Sequence, residues 1–163
     1  MVDYHLLSLP FQIRLTPLQE SVRISLFIFY YLTLLRFAPA VMSEMLQASL
    51  QKTDLPSFWS PYSSLLLWVI FVGVHVSRTK KERPWFVFYL ARGVKLLEIQ
   101  TLDQLRDVLS RFFYLDRLFG KSLTKIWEEV SLVAQALDDC HQEQGAAEPR
   151  PYNEDIHKQS PTT

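Results

Sequence analysis

Four histidines, one cysteine and a few acidic pairs are the side chains with which this chain could do acid–base, nucleophilic or metal chemistry. His5, His75, His141 and His157 lie far apart. No two stand four residues apart, as paired zinc ligands on one helix face do, and no His-Glu-x-x-His occurs. His75 comes near the end of a long apolar run, where a histidine is expected as a hydrogen-bonded structural residue. Glu128 and Glu129 are adjacent, as are Asp138 and Asp139. Neighbours on a helix point in different directions, so neither pair is apposed for acid–base work. Cys140 has His141 beside it, but sequence neighbours do not make a nucleophile and its base. There is no Gly-x-Ser-x-Gly elbow, no Gly-x-Gly-x-x-Gly and no phosphate loop. The single cysteine excludes an internal disulfide and any cysteine-based zinc cluster within these residues. The expectation is a chain that is not an enzyme and holds neither cofactor nor metal.

Two other groups could make contacts. Arg78, Lys80, Lys81 and Arg83, followed by Arg92 and Lys95, form the one notable cluster of charge. Thr79 and Glu82 interrupt it. It reads first as a solvated connector between helices, and otherwise as a surface for an acidic partner or nucleic acid, or as a short nuclear-import signal. It offers no recognition helix for base edges, so direct nucleic-acid contact is not expected. The second group is aromatic: Trp68, Trp85, Phe88, Tyr89 and Trp127 could line a pocket for an apolar small molecule or anchor a partner.

The elements that position these residues read as helices. The chain has 163 residues, enough for one domain, and its 17 basic and 17 acidic residues cancel. Glycine is scarce at four, whereas the rings are many: 11 Phe, 7 Tyr and 4 Trp, which suits a helix-packed core. Residues 1–17 read as an extended N-terminal segment. From Leu18 to about Phe37 the pattern is helical, with Val22, Leu26, Phe29 and Thr33 on one stripe, widened by Ile24, Phe27, Ile28 and Tyr31. Ala40–Leu50 could form a second helix with Val41, Met45 and Leu46 inward. Lys52–Pro61 reads as a loop, with Phe58 and Trp59 folding back onto the core. Tyr62–Ser77 is strongly apolar and predicts a buried helix. Pro84 suits a first helical turn, so a helix over Trp85–Leu97 follows. Thr101 and Gln104 form a capping box for an amphipathic helix carrying Leu102, Leu105, Val108, Leu109, Phe112 and Phe113. Gly120 ends or interrupts that region. A last helix, about Ser122–Leu137, presents Leu123, Ile126, Trp127, Val130, Val133 and Leu137. The domain is thus drawn over 18–140, and 141–163, with Pro149, Pro151 and Pro161, reads as a disordered tail. The fold class is all-α, an irregular bundle of about five or six helices.

A membrane span needs about 20 mostly apolar residues. Leu65–Val76 is too short, and Leu18–Met42 is bracketed by Arg23 and Arg36, with Pro39 beyond. Buried core helices are therefore expected in place of a span or a surface anchor. No basic, apolar and small-residue sequence of a secretory signal opens the chain.

The run Leu65-Leu66-Leu67-Trp68-Val69-Ile70-Phe71-Val72-Gly73-Val74, with Arg83-Pro84-Trp85-Phe86-Val87 after it, resembles a stretch near the end of the regulatory (middle homology) region of fungal zinc binuclear-cluster transcription factors. Leu102, Leu105, Leu109 and Phe112-Phe113-Tyr114 match the helix that follows there, and Leu123-x-x-x-Trp127 comes at the expected place. Upstream, Val22-Arg23-Ile24-Ser25-Leu26 is similar to that family's arginine-marked helix. The likeness covers about Val22 to Val130. It lacks the six-cysteine zinc cluster, the coiled coil and the first part of the regulatory region. The resemblance implies a non-catalytic helical module of a transcription regulator, a fragment or stand-alone derivative. Such a module would be nuclear, would act through protein contacts and would not bind DNA itself. A stack of helices cut from its neighbours is expected to expose apolar faces for a partner or for self-association. The other reading of the residues is a free-standing helical module that binds a protein or an apolar small ligand and is unrelated to transcription.

Overall fold

Residues 15–39 and 41–145 are described by the structure, a computed structural model. Among them it has six helices and no strand: α1 (Pro17–Leu34), α2 (Val41–Leu50), α3 (Ser63–Val76), α4 (Arg83–Leu96), α5 (Leu102–Ser110) and α6 (Asp116–Gly145). The all-α bundle is as the residue pattern predicts. Of the N-terminal segment read over 1–17, residues 1–14 lie outside the described residues, as do 146–163 of the tail.

The helix starts are set by caps. Thr16 opens α1: its hydroxyl accepts from the Gln19 N–H at 3.3 Å, and Gln19 Oε1 accepts from the Thr16 N–H at 3.0 Å. Pro17, whose missing N–H costs nothing in a first turn, sits just inside. The same box recurs at Thr101 and Gln104, which open α5. The α1 helix stops at Leu34, three residues short of the sequence expectation, because Arg36 takes a left-handed conformation at φ 59°. The end of α4 is a Schellman turn: the Glu98 N–H donates to Lys95 O at 3.0 Å and the Ile99 N–H to Val94 O at 2.9 Å. Glu98 holds the left-handed position at φ 53°, where glycine is usual.

The core is built around α3, which packs against all five other helices. Every residue from Leu66 to His75 is buried. The α4 helix runs antiparallel along it at very short range. A Cβ on Gly73 would lie 2.3 Å from the Phe86 ring, and one on Gly93 would lie 2.6 Å from Phe58 and 2.7 Å from Leu67. Both glycines sit where the facing side chains leave no room for a methyl group. The α6 helix then lies beside both. Phe71 meets Phe119 edge-on at 5.3 Å, and the ion pairs Arg83–Glu129 and Lys95–Asp138 join α4 to α6 in parallel.

Several details depart from the residue pattern. The buried stripe of α1 is Ser21, Ile24, Ser25, Ile28 and Leu32, so Val22, Leu26, Phe29 and Thr33 are left at its half-buried flanks. The α2 helix buries Ser43, Leu46, Ser49 and Leu50, whereas Val41 and Met45, expected inward, are exposed. Serine explains both. Ser21 and Ser49 share a hydrogen bond of 2.9 Å, Ser49 donates to Pro17 O at 3.2 Å, and Ser25 donates back to Ser21 O at 2.9 Å. Small hydroxyls that satisfy themselves on backbone let α1 and α2 approach closely, and they turn the larger apolar residues outward. Gly120 neither ends nor interrupts a helix: α6 starts at Asp116 and passes through it. A glycine inside a helix costs about 1 kcal/mol, and the fully buried Phe119 and Leu123 on either side offset that. The same helix continues to Gly145, past the boundary drawn at 140. Phe58 and Trp59 do fold back and are buried, both in left-handed backbone (φ 50° and 51°).

Candidate functional site

The connector after α3 carries the basic residues, and the fold divides them. Arg78 and Arg83 line a cleft of about 390 Å³ together with Lys121, Ser122, Lys125 and Ile126 of α6. Lys80 and Lys81 are exposed and do not line it. Lys81 turns to Glu44, 3.5 Å away, and to the buried carboxylate of Glu82 at 3.9 Å. Nothing in the order of residues brings Lys121 and Lys125 to Arg78. The only trace is their spacing of four, which puts them on one face of α6.

Arg83 is the fixed member of the cleft. Its Nε donates to Glu129 Oε1 at 3.2 Å, its Nη2 to Glu129 Oε2, and its Nη1 to the Val74 carbonyl at 2.9 Å. Ser122 joins the cleft to the core. Its hydroxyl donates to Phe119 O at 2.9 Å and lies 3.0 Å from His75 Nδ1. The His75 ring is buried edge-on against Phe119 at 4.8 Å. Burial, then the charges of Arg78 and Arg83, push its pKa down from 6.5 to about 4. The imidazole is therefore neutral near pH 7, as a satisfied structural histidine is. A serine and a histidine at 3.0 Å are two parts of a nucleophile relay. Here, among the described residues, no carboxylate bonds the imidazole, and a base held near 4 draws a hydroxyl proton poorly.

The aromatic residues do not form one pocket. Trp68 is buried, donates from Nε1 to Phe113 O at 3.0 Å, and has Phe112 and Phe113 as ring neighbours at 6.3 and 6.1 Å. Trp85 packs on Tyr89 at 4.6 Å, and Tyr89 meets Phe88 edge-on at 5.4 Å, a ladder along α4. Trp127 is half-buried against the core from α6. Of the five, Phe88 alone reaches a groove of about 600 Å³, with Pro56, Phe58, Arg92, Lys95, Leu96 and Leu137.

The surface also carries exposed apolar residues. Leu34, Leu35 and Phe37 after α1, and Val41 and Met45 on α2, are between 46% and 60% exposed. They fall within one stretch of chain, 34–45, and on α2 Val41 and Met45 stand one turn apart, Met45 in a groove shared with Ser49 and Pro17. Leu34 and Phe37 belong to the apolar run that the sequence pattern placed inside a helix. They are exposed because α1 ends before them and Arg36 turns the chain. No helix among the described residues is long and apolar enough to cross a membrane.

Among the described residues, fold and surface together define an all-α bundle with an exposed apolar corner at the end of α1 and a basic cleft. No family model matches the chain, and neither does any curated protein or solved structure.

Proposed function

We propose that this chain is a non-catalytic helical module that acts through protein contacts in transcriptional regulation, without reading DNA itself. The observation that carries the contact reading is the apolar corner where α1 ends, Leu34, Leu35 and Phe37, with Val41 four residues further on. Large apolar residues left exposed this close together in the chain mark a surface that another protein covers. The transcriptional part, and a nuclear location, rest on the likeness of the Leu65–Val74 and Arg83–Val87 blocks to the end of the zinc-cluster regulatory region. In the fold those blocks are α3 and the first turns of α4, which hold the centre of the bundle.

Tethering tests this reading. The chain is fused to an unrelated DNA-binding domain and placed upstream of a reporter gene in a fungal cell. The expected result is a change in reporter output that the double substitution Leu34→Glu, Phe37→Glu abolishes while the fusion accumulates to the same level. Output equal to that of the DNA-binding domain alone would refute it. A second reading, a module for an apolar small ligand, is favoured by the groove that Phe88, Leu96 and Leu137 line. A saturable change in tryptophan fluorescence with an apolar probe, lost in Leu96→Glu, would favour it over the first.

A further inference from the structure

We propose that the cleft between the end of α3 and the middle of α6 binds the phosphate group of a small phosphomonoester. Four cations converge on it: Arg78, Arg83, Lys121 and Lys125. Only Arg83 has a carboxylate partner, Glu129. Among the described residues Arg78, Lys121 and Lys125 have no ion pair. The chain as a whole balances 17 bases against 17 acids, so this concentration of one sign does not follow from a basic composition. Like charges held in one cleft repel, and a multiply charged anion turns that repulsion into binding.

The site has fixed parts. Arg83 spends three N–H groups on Glu129 and the Val74 carbonyl, which orients its guanidinium, and two of its five N–H groups remain for an acceptor. Ser122 places a hydroxyl in the floor, backed by His75 and Phe119 O, and Ile126 gives an apolar wall. The depressed proton affinity of His75 comes first from burial and then from Arg78 and Arg83, so the field behind the floor is positive. The volume of about 390 Å³ lies in the lower part of the range for small-ligand sites. A phosphate dianion presents several acceptor oxygens in different directions, which suits cations arriving from the connector and from α6 together. A nucleic-acid backbone needs charges strung along a stripe. Here they converge, and neighbouring Lys81 faces Glu44 and Glu82. The cleft shares no residue with the apolar corner, so it stands or falls separately from the proposed function.

The test is an amide and imidazole NMR titration of the full chain with inorganic phosphate and with phenyl phosphate, at constant ionic strength held with sodium chloride. Saturable shifts at Lys121, Ser122, Lys125 and the His75 ring are expected, with a Kd of ~1 mM or tighter. Binding is expected to weaken about tenfold in Arg78→Gln and in Lys121→Gln and to stay unchanged in Lys80→Gln. Arg78 and Lys121 are exposed, so these variants keep the fold, and an unchanged spectrum elsewhere checks it. On saturation the His75 pKa should rise. Shifts that do not saturate, or an equal loss in Lys80→Gln, would overturn the proposal. So would binding to phosphatidic acid vesicles with no response to either soluble phosphate, which would make the anion a lipid headgroup.

Discussion

Replacing Gly73 by alanine sets two known effects against each other. Inside a solvated helix the change would stabilise by about 0.8–1.0 kcal/mol, the difference in helix propensity. In α3 the new methyl group would lie 2.3, 2.4 and 2.8 Å from three atoms of the Phe86 ring, which is itself fully buried. A ring packed on all sides cannot swing away, so α3 and α4 must separate. Overpacking of this kind costs about 1–3 kcal/mol, and the short contacts favour the upper end. The net effect is a loss of about 1–2 kcal/mol, or ~4 °C in Tm for a chain of this size. Urea unfolding followed by tryptophan fluorescence and circular dichroism measures it, with an unchanged slope showing that the unfolding reaction is the same. Phe86→Leu in the same chain supplies the check. Alone it leaves a cavity, but beside Gly73→Ala it makes room for the methyl group. The double variant should therefore be more stable than the sum of the two losses implies, by ~1 kcal/mol or more. A neutral or stabilising Gly73→Ala would refute the close approach of α3 and α4.

His75 makes stability depend on pH. Its folded pKa of about 4 lies below the 6.5 of an exposed histidine, so between those values the unfolded chain takes up a proton that the folded chain refuses. Stability falls as pH drops through 6.5 toward 4, by roughly 3 kcal/mol, and this contribution is constant below. Unfolding free energies at pH 7 and 4.5 should show that slope in the wild type and a shallower one in His75→Gln; equal slopes would contradict it. Glu98→Gly should stabilise by about 1 kcal/mol, because glycine meets no steric penalty in the left-handed position of the Schellman turn; a loss of stability in thermal unfolding would count against that. Thr101→Ala should cost about 1 kcal/mol through loss of the cap that holds Gln104; an unchanged urea midpoint would show that α5 does not depend on it.

What was legible in the residues was the periodic apolar pattern and the cap at Thr101. These gave about five or six helices, the burial of α3, and the return of Phe58 and Trp59 to the core. The errors came from small and polar residues. Ser21, Ser25 and Ser49 look like solvent residues, yet they form the close seam of α1 and α2, and Ser43 is buried against Glu82, so the residue pattern points Val41 and Met45 inward. Gly120 looks like a stop, but burial on either side carries the helix through it. Thr16, Pro17 and Gln19 form a capping box with proline in the first turn, a signal that the reading of 1–17 as an extended segment passes over. Half of the basic cleft was visible, because Arg78 and Arg83 are close in sequence. Lys121, Ser122 and Lys125 join it only when α6 packs against the end of α3, which no local pattern specifies. The aromatic set was grouped by residue type. Trp68 instead answers to Phe112 and Phe113, and Trp85 to Tyr89.

Sedimentation velocity of the full chain over a range of concentrations, beside Leu34→Glu, Phe37→Glu, tests most directly whether the apolar corner is a protein-contact surface. In the absence of a partner the corner should pair with another copy. The wild type is therefore expected to shift to larger species as concentration rises, and the variant is expected to stay monomeric and folded. A wild type that remains a monodisperse monomer throughout, and unfolds in one cooperative step, would contradict the claim.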